Sequence, residues 1–462
     1  MALPDSALAA RSLVLGMSGG DVTTLQQALI AKGYLAAGKA TGYFGPLTDA
    51  AVKKFQCEQG IVCSGLGYGI YGPRTQAAMG TSGTSSGGST SSGGSTVASG
   101  SLEYSGWIPY WREDKGVAET LAHLEQLKEI NPFGYIVQND GTLTDAMGIV
   151  DEPWKTLLAE AKKKGVRIVP TVMWCNADAM HQVLSIQASR VALEDEIANL
   201  VKREGFDGID IDFECKRAED KAYFSTFLKG LYQRMGTKWV MCTIESRTPI
   251  ADRYYGTTPP ADAGLYANDF VEINKYCDRV RFMTYDQQTM DQAIAAAYAA
   301  RGEVYAPLAD VVWVEKAIKM AMQTIPKHKI VMGVATYGYE WEVTAYADGY
   351  TYDLLWSFNP AYAPPIAGAL GITPARNGWG EMSFSYIPTT TVATFSPGSN
   401  AAAAALATAK SNNSNHKFRY MTWSDAESVR QKVDLAKRLG IRGVAVFKFD
   451  GGADLAMWSV LK

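Results

Sequence analysis

Apolar positions in this chain follow two alternating rhythms. From about residue 101 onward, short apolar runs are separated by longer stretches in which apolar side chains recur every three or four positions. The runs are YSGWIPY (104–110), FGYIVQ (133–138), VRIVPTVMW (166–174), DGIDIDF (207–213), KWVMCTIE (238–245), RVRFMTYD (279–286), KIVMGVATY (329–337) and RGVAVFKF (442–449). Each has the length and composition of a strand. Between them lie amphipathic stretches such as WKTLLAEAKKKG (154–165) and SDAESVRQKVDLAKRLG (424–440), the latter opening on Ser424 and Glu427 as a capping box. Eight such units over about 360 residues predict an α/β fold, a closed (β/α)8 barrel. A doubly wound open sheet is disfavoured because no glycine-rich phosphate turn follows the first strand. The gap from Trp341 to about Lys417 is too long for one loop. It predicts a small α+β subdomain inserted after the seventh strand, over roughly 342–417, with loops such as TVATFSPGSN.

The first eighty residues differ. Asp21 is placed to cap a helix carrying Val22, Leu25 and Leu29 on one face, ended by Gly33. GYFGPLTDAA (42–51) recurs as GIYGPRTQAA (69–78), and each copy sets Gly-Pro ahead of a helical pattern. The expectation is a three-helix domain over 1–80. Residues 81–100 contain eighteen Gly, Ser or Thr out of twenty, which predicts a flexible linker reaching on the order of 25 Å. Residues 101–462 would then form the barrel domain.

Composition narrows the function classes. The net charge of −3 carries no basic excess, so no nucleic-acid partner is expected. No apolar run reaches membrane-spanning length. The opening MALPDSALAARS lacks a basic-then-apolar layout, so an export leader is expected to have been removed or to be of another kind. The 11 Trp, 24 Tyr and 15 Phe suit sugar binding, where flat rings meet C–H faces. Of six Cys, Cys57 and Cys63 are close enough in sequence to close a small loop, which would imply an oxidising compartment. Cys175, Cys215, Cys242 and Cys277 are expected as small buried side chains. The four His show no zinc-ligand spacing, and no metal or cofactor is expected. A monomer is expected.

The segment with the clearest chemistry is FDGIDIDFE (206–214). Alternation along a strand points Asp210, Asp212 and Glu214 to one side and Ile209, Ile211 and Phe213 to the other. Adjacent carboxylates repel, so one holds a proton near neutral pH, which is how a protein makes a general acid. The competing readings are a hard-cation site and a solvated edge. The first lacks further ligands, since Cys215, Lys216 and Arg217 follow. The second fits poorly with an opposite face that is wholly apolar.

Two family resemblances follow from these motifs. LGMSGGDVTTLQQALIAKGYL followed by TGYFGPLTDAAVKKFQ resembles the peptidoglycan-binding module of bacterial wall hydrolases. In the large domain, DGIDIDFE on the fourth strand, MTYD (283–286) on the sixth and GVATYGYEW (333–341) on the seventh resemble family 18 glycoside hydrolases. That family includes chitinases, peptidoglycan N-acetylglucosaminidases, endo-N-acetylglucosaminidases and inactive lectins. The resemblance implies substrate-assisted, retaining cleavage of β-1,4 bonds beside N-acetylglucosamine, with no protein nucleophile. It implies Glu214 as acid/base, Asp212 as the group orienting the acetamide, Asp210 sharing a proton with Asp212, and Tyr285 donating to the acetamide oxygen. Met283 and Asp286 would line the pocket, and Asp207 with Gly208 would be structural, closing the turn into the strand. Trp107, Tyr110 and Trp341 are candidate sugar platforms, as are Trp111 and Trp174. Phe447 aligns where the family usually has a Trp floor, and the third strand reads VPTVMW instead of a chitinase-type S-x-G-G run. The polysaccharide would be bacterial wall peptidoglycan, with chitin alone as the alternative, and the protein secreted or wall-associated. A disabled carbohydrate-binding barrel is a further alternative, countered by the presence of all three acids.

Overall fold

The computed structural model describes residues 13–59, 61, 68–79, 102–388 and 401–462. The chain divides into two compact units, Met1–Ala98 and Ser99–Lys462. The expected linker, Cys63 and the loop TVATFSPGSN lie outside the described residues.

In the first unit, helices run over Gly20–Ala31, Pro46–Glu58 and Pro73–Met79 around Val22, Leu25, Leu29, Phe44, Val52 and Phe55. Pro46 occupies the first helical position, where its missing N–H costs nothing. Asp21 is not the cap that its sequence position suggests. The cap position is Gly19, and Asp21 sits inside the first turn with its carboxylate on the Val22 N–H. The internal echo has a polar basis that the apolar pattern did not reveal. Gln26 is buried, donates to Tyr43 O and Thr48 Oγ1, and accepts from Gly42 N. Gln56 makes the same three bonds to Ile70 O, Thr75 Oγ1 and Gly69 N.

The second unit is a barrel of eight parallel strands. They are β1 (Glu103–Pro109), β2 (Glu129–Val137), β3 (Thr171–Trp174), β4 (Gly208–Phe213), β5 (Trp239–Glu245), β6 (Arg279–Met283), β7 (Ile330–Ala335) and, closing the ring, a last strand at Gly443–Phe447. Each pairs with its neighbour in chain order, the last pairs with both β7 and β1, and β1 pairs with β2. The run 166–174 is broken into Arg167–Ile168 and β3 because Pro170 has no N–H to give the ladder.

Between β7 and the closing strand stands an inserted antiparallel sheet of β8 (Gly338–Tyr346), β9 (Gly349–Phe358), β10 (Met382–Tyr386) and β11 (His416–Trp423), in the order β9-β8-β11-β10, with Ala375–Arg376 at its edge. It begins at Gly338, so the latter half of GVATYGYEW belongs to the insertion and not to the barrel. The closing barrel strand is β12 (Gly443–Phe447). The helix before it runs Ala426–Leu439. Its cap is Asp425, bonded to Ser428 N, and not Ser424, whose own N–H is spent on Tyr337 O. Among the described residues no helix is long and apolar enough to cross a membrane.

β4 shows how the barrel carries an acidic strand. Ile209, Ile211 and Phe213 are fully buried, and Phe213 packs on Phe227 at 5.2 Å and on Trp174 at 5.4 Å. Such burial stabilises by roughly 1.5–3 kcal/mol per side chain. It offsets the cost of the inward acids, which for Asp210 is on the order of 3 kcal/mol.

Candidate active site

Asp210 lies deepest in the barrel, with no exposure. Its carboxylate accepts from Trp107 Nε1 at 3.0 Å, Thr171 Oγ1 at 2.9 Å and Thr243 Oγ1 at 2.9 and 3.1 Å, and lies 2.9 Å from Arg281 Nη1. Burial pushes its carboxyl up to about 6, against the pull of those donors. Trp107, Thr171 and Arg281 converge on Asp210 Oδ2, whereas Oδ1 meets Thr243 alone among the described residues.

Asp212 is 5% exposed, and its Oδ1 has no hydrogen-bond partner among the described residues. Burial, then the charges of Glu214 and Asp210, raise its carboxyl well above the usual range. Glu214 follows β4 at the barrel mouth, half-buried, with its N–H on Trp174 O. It too is raised, by burial and then by Glu245, while Lys216 opposes. The Lys216 side chain is 1% exposed, donates to Phe213 O and stands 3.5 Å from Glu245 Oε1. Sequence reasoning missed Glu245. Its one signal was its position at the carboxyl end of β5, the end at which barrel active sites are built.

Tyr285 is 7% exposed, and burial with the charges of Asp212, Asp286 and Glu214 pushes its hydroxyl far up, so it stays a donor. Its ring stacks on Phe447 at 5.7 Å and passes Gly333, where a Cβ would come within 2.9 Å. Asp286 has a left-handed backbone (φ 57) and accepts from Tyr337 at 2.5 Å and from Tyr339. Burial raises its carboxyl against those two donors. Met283 ends β6 opposite Glu245, its carbonyl held by Ser246 Oγ at 2.7 Å.

The aromatic candidates separate. Trp107 is 1% exposed with its indole on Asp210, so it supports the acid and does not present a face to a sugar. Trp341 is 3% exposed, packed between Tyr339 and Tyr352 in the inserted sheet. Trp174 is likewise buried. Tyr110 is half-buried against Trp111, which is 47% exposed and meets Phe133 at 5.8 Å. Asp207 accepts from Ile168 N at 2.8 Å, and Gly208 sits where a Cβ would come 2.5 Å from Trp239 O.

Two disulfides correct the expectation of free buried thiols. Cys175–Cys215 joins the residue after β3 to the residue after Glu214, and Cys242–Cys277 joins β5 to the approach to β6. Each pair brings together positions at neighbouring strands, a proximity that spacing along the chain does not encode.

Comparison with known proteins matches residues 107–452 to Glycosyl hydrolases family 18, and residues 18–79 to the Putative peptidoglycan binding domain. The chain is 25% identical to the uncharacterized glycosylase YvbX of Bacillus subtilis over 68% of its own length and 79% of the relative's. It is also 25% identical to the cortical fragment-lytic enzyme of the same organism, over 70% of its own length and 64% of the relative's. Its fold resembles the Bacillus cereus spore cortex-lytic enzyme SleL, with a TM-score of 0.57 at 18% identity, over 78% of this chain and 73% of that one. A class V chitinase from Pseudomonas fluorescens gives the same TM-score and identity, over 78% of this chain and 98% of the other. An eight-stranded parallel barrel with two acids on its fourth strand and a third directly after it, matched over three quarters of the chain, makes this protein a glycoside hydrolase of family 18.

Proposed function

We propose that this enzyme is a retaining hydrolase of β-1,4 bonds beside N-acetylglucosamine in bacterial wall glycan, working through the substrate's own 2-acetamido group. The observation that carries the reading is Asp212. It is a buried carboxyl with an unpaired oxygen and a raised proton affinity, set between a fixed Asp210 and a mouth-facing Glu214. In this reading Glu214 protonates the leaving oxygen and later activates water. Asp212 takes the acetamide N–H and stabilises the developing positive charge, and Tyr285 donates to the acetamide oxygen. The acetamide itself attacks the anomeric carbon, so no protein nucleophile is needed. Phe447 with Tyr285 forms the floor, Asp286 and Met283 line the wall, and Trp111 is the rim platform.

Wall glycan is favoured over chitin by the peptidoglycan-binding match and by relatives named for cortex lysis. We read residues 1–80 as the wall-binding domain, 81–100 as its tether and 101–462 as the catalytic domain, acting as a monomer outside the cell. A tether raises local substrate concentration without fixing geometry. The test is mass spectrometry of parallel digests of chito-oligosaccharides and purified sacculi, with Glu214→Gln as control. Fragments from sacculi that the control lacks are expected. Fragments from chito-oligosaccharides alone would make it a chitinase, and binding without turnover would make it a sugar-binding barrel.

A further inference from the structure

Below the three acids the barrel axis holds a buried cation. Arg281, on β6, is 2% exposed at its side chain. Its guanidinium reaches Asp210 above, bonds Glu129 of β2 below, and lies 5.4 Å from the centre of the Trp107 ring. Glu129 is itself held by Arg167 Nε at 3.1 Å and Asn131 Nδ2 at 3.2 Å. Removing such charges from water costs several kcal/mol per ion, and apolar replacements of similar volume are often as stable. Arg281 Nε and Nη1 have no hydrogen-bond partner among the described residues, Nη1 facing Asp210 Oδ2 at 2.9 Å as an ion pair only, so the pairing does not repay that cost in full. A cation kept there at a loss points to a role in the chemistry above it.

We propose that Arg281 is a positioning residue for the acid trio. Backed by Glu129, it fixes Asp210 as a carboxylate, so that the exchangeable proton belongs to Asp212 and Glu214. The groups facing Arg281 are Glu129 from β2, Asp210 from β4 and Tyr285 beyond β6. Glu103, Lys128, Arg167 and Arg279 lie around the barrel base beneath them. Asp210 additionally faces Asp212 on its own strand. The catalytic part of this inference rests on the hydrolase reading, but its first test does not.

Trp107 donates its indole N–H to Asp210 and so reports that carboxylate directly. In ¹⁵N-tryptophan spectra of the whole chain, assigned with Trp107→Phe, the Trp107 indole signal is followed against pH in wild type, Arg281→Gln, Arg281→Lys and Glu129→Gln. Loss of a cation at this distance raises a carboxyl by about one pH unit or more. The midpoint should therefore move up by that amount in Arg281→Gln, stay near wild type in Arg281→Lys, and move down in Glu129→Gln, where a like charge is lost and the guanidinium is left to Asp210 alone. On chito-oligosaccharides the acid limb of kcat should move the same way, with a loss of about tenfold or more in kcat at little-changed KM. If Arg281→Gln does not fold, Glu129→Gln carries the test, since it keeps the guanidinium and removes the carboxylate that competes with Asp210 for it, and a midpoint moving down is then the expected result. Coincident indole midpoints in wild type and the folded variants would overturn the proposal. So would a melting-temperature loss with no movement of either midpoint or pH limb.

Discussion

The Cys175–Cys215 bond lies one residue from the acid/base candidate, and Cys215 is held at φ 61, a region that residues with a side chain rarely adopt. Cys242–Cys277 is fully buried and remote from Glu214 in sequence. The two bonds close loops of similar length, with separations of 40 and 35 residues. Chain-entropy reasoning gives each a stabilisation of about 4 kcal/mol. For a unit of roughly 360 residues, unfolding entropy of about 2.1 cal/mol/K per residue makes that about 5 °C in melting temperature. The paired variants Cys175→Ala/Cys215→Ala and Cys242→Ala/Cys277→Ala should therefore lose nearly equal stability in calorimetry. They should differ in turnover. Without its bond Cys215 can relax from the left-handed region and carry Glu214 with it, so kcat on chito-oligosaccharides should fall well below wild type in the first pair. The second pair should stay near wild type at a temperature where both are folded. Because Cys175 and Cys215 are exposed, mild dithiothreitol should reproduce the first effect before the second. Equal kcat in the two pairs would refute the link between this bond and the acid.

Asp212→Asn should be strongly impaired in turnover yet more stable at pH 7. The native state holds the proton of Asp212 more tightly than the unfolded chain does, so ionisation costs stability as pH rises above the usual carboxyl value of 3.8. That gain should vanish in denaturant titrations at pH 4 or below, and a gain independent of pH would contradict the assignment. Gly333→Ala would place a Cβ 2.5 Å from Phe282 O and 2.9 Å from the Tyr285 ring. A kcat defect with a melting-temperature loss is expected, and full activity would remove Tyr285 from the site. Gln26→Ala leaves Gly42 N without its partner, while Tyr43 O keeps the Gly45 N–H, and should lower the stability of the first unit by about 1–3 kcal/mol, read by calorimetry of the whole chain. A change under about 0.5 kcal/mol would show that water replaces the glutamine.

What the sequence made legible was whatever repeats within a few residues. The i, i+2, i+4 acids of β4, the apolar face behind them and the eight strand–helix units are all local patterns, and each reappears in the barrel. The partners of those acids are not local. Trp107 reaches Asp210 across 103 positions, and Arg281 reaches Glu129 across 152. Only closure of the barrel brings them together. The disulfides were missed for the same reason, since a Cys in a strand looks alike whether its neighbour strand supplies a second Cys or a Val. Trp107 and Trp341 look like platforms in the sequence because it gives an aromatic's identity and not which way its strand turns it. Asp425 displaced Ser424 as a cap because a tertiary bond to Tyr337 O fixed where the helix could start.

The twin glutamine bonds of the first unit bear on how freely its two halves can diverge. Gln26 and Gln56 make the same three bonds to equivalent positions, so the two halves are copies of one scaffold. Those three bonds in each copy are committed to holding that scaffold. The symmetry fails at the surface, as at Tyr43 and Ile70, which occupy matching places with 50% and 40% of their surface in solvent. A duplicated module of this kind can change its preference by drift in one copy while the other preserves the fold.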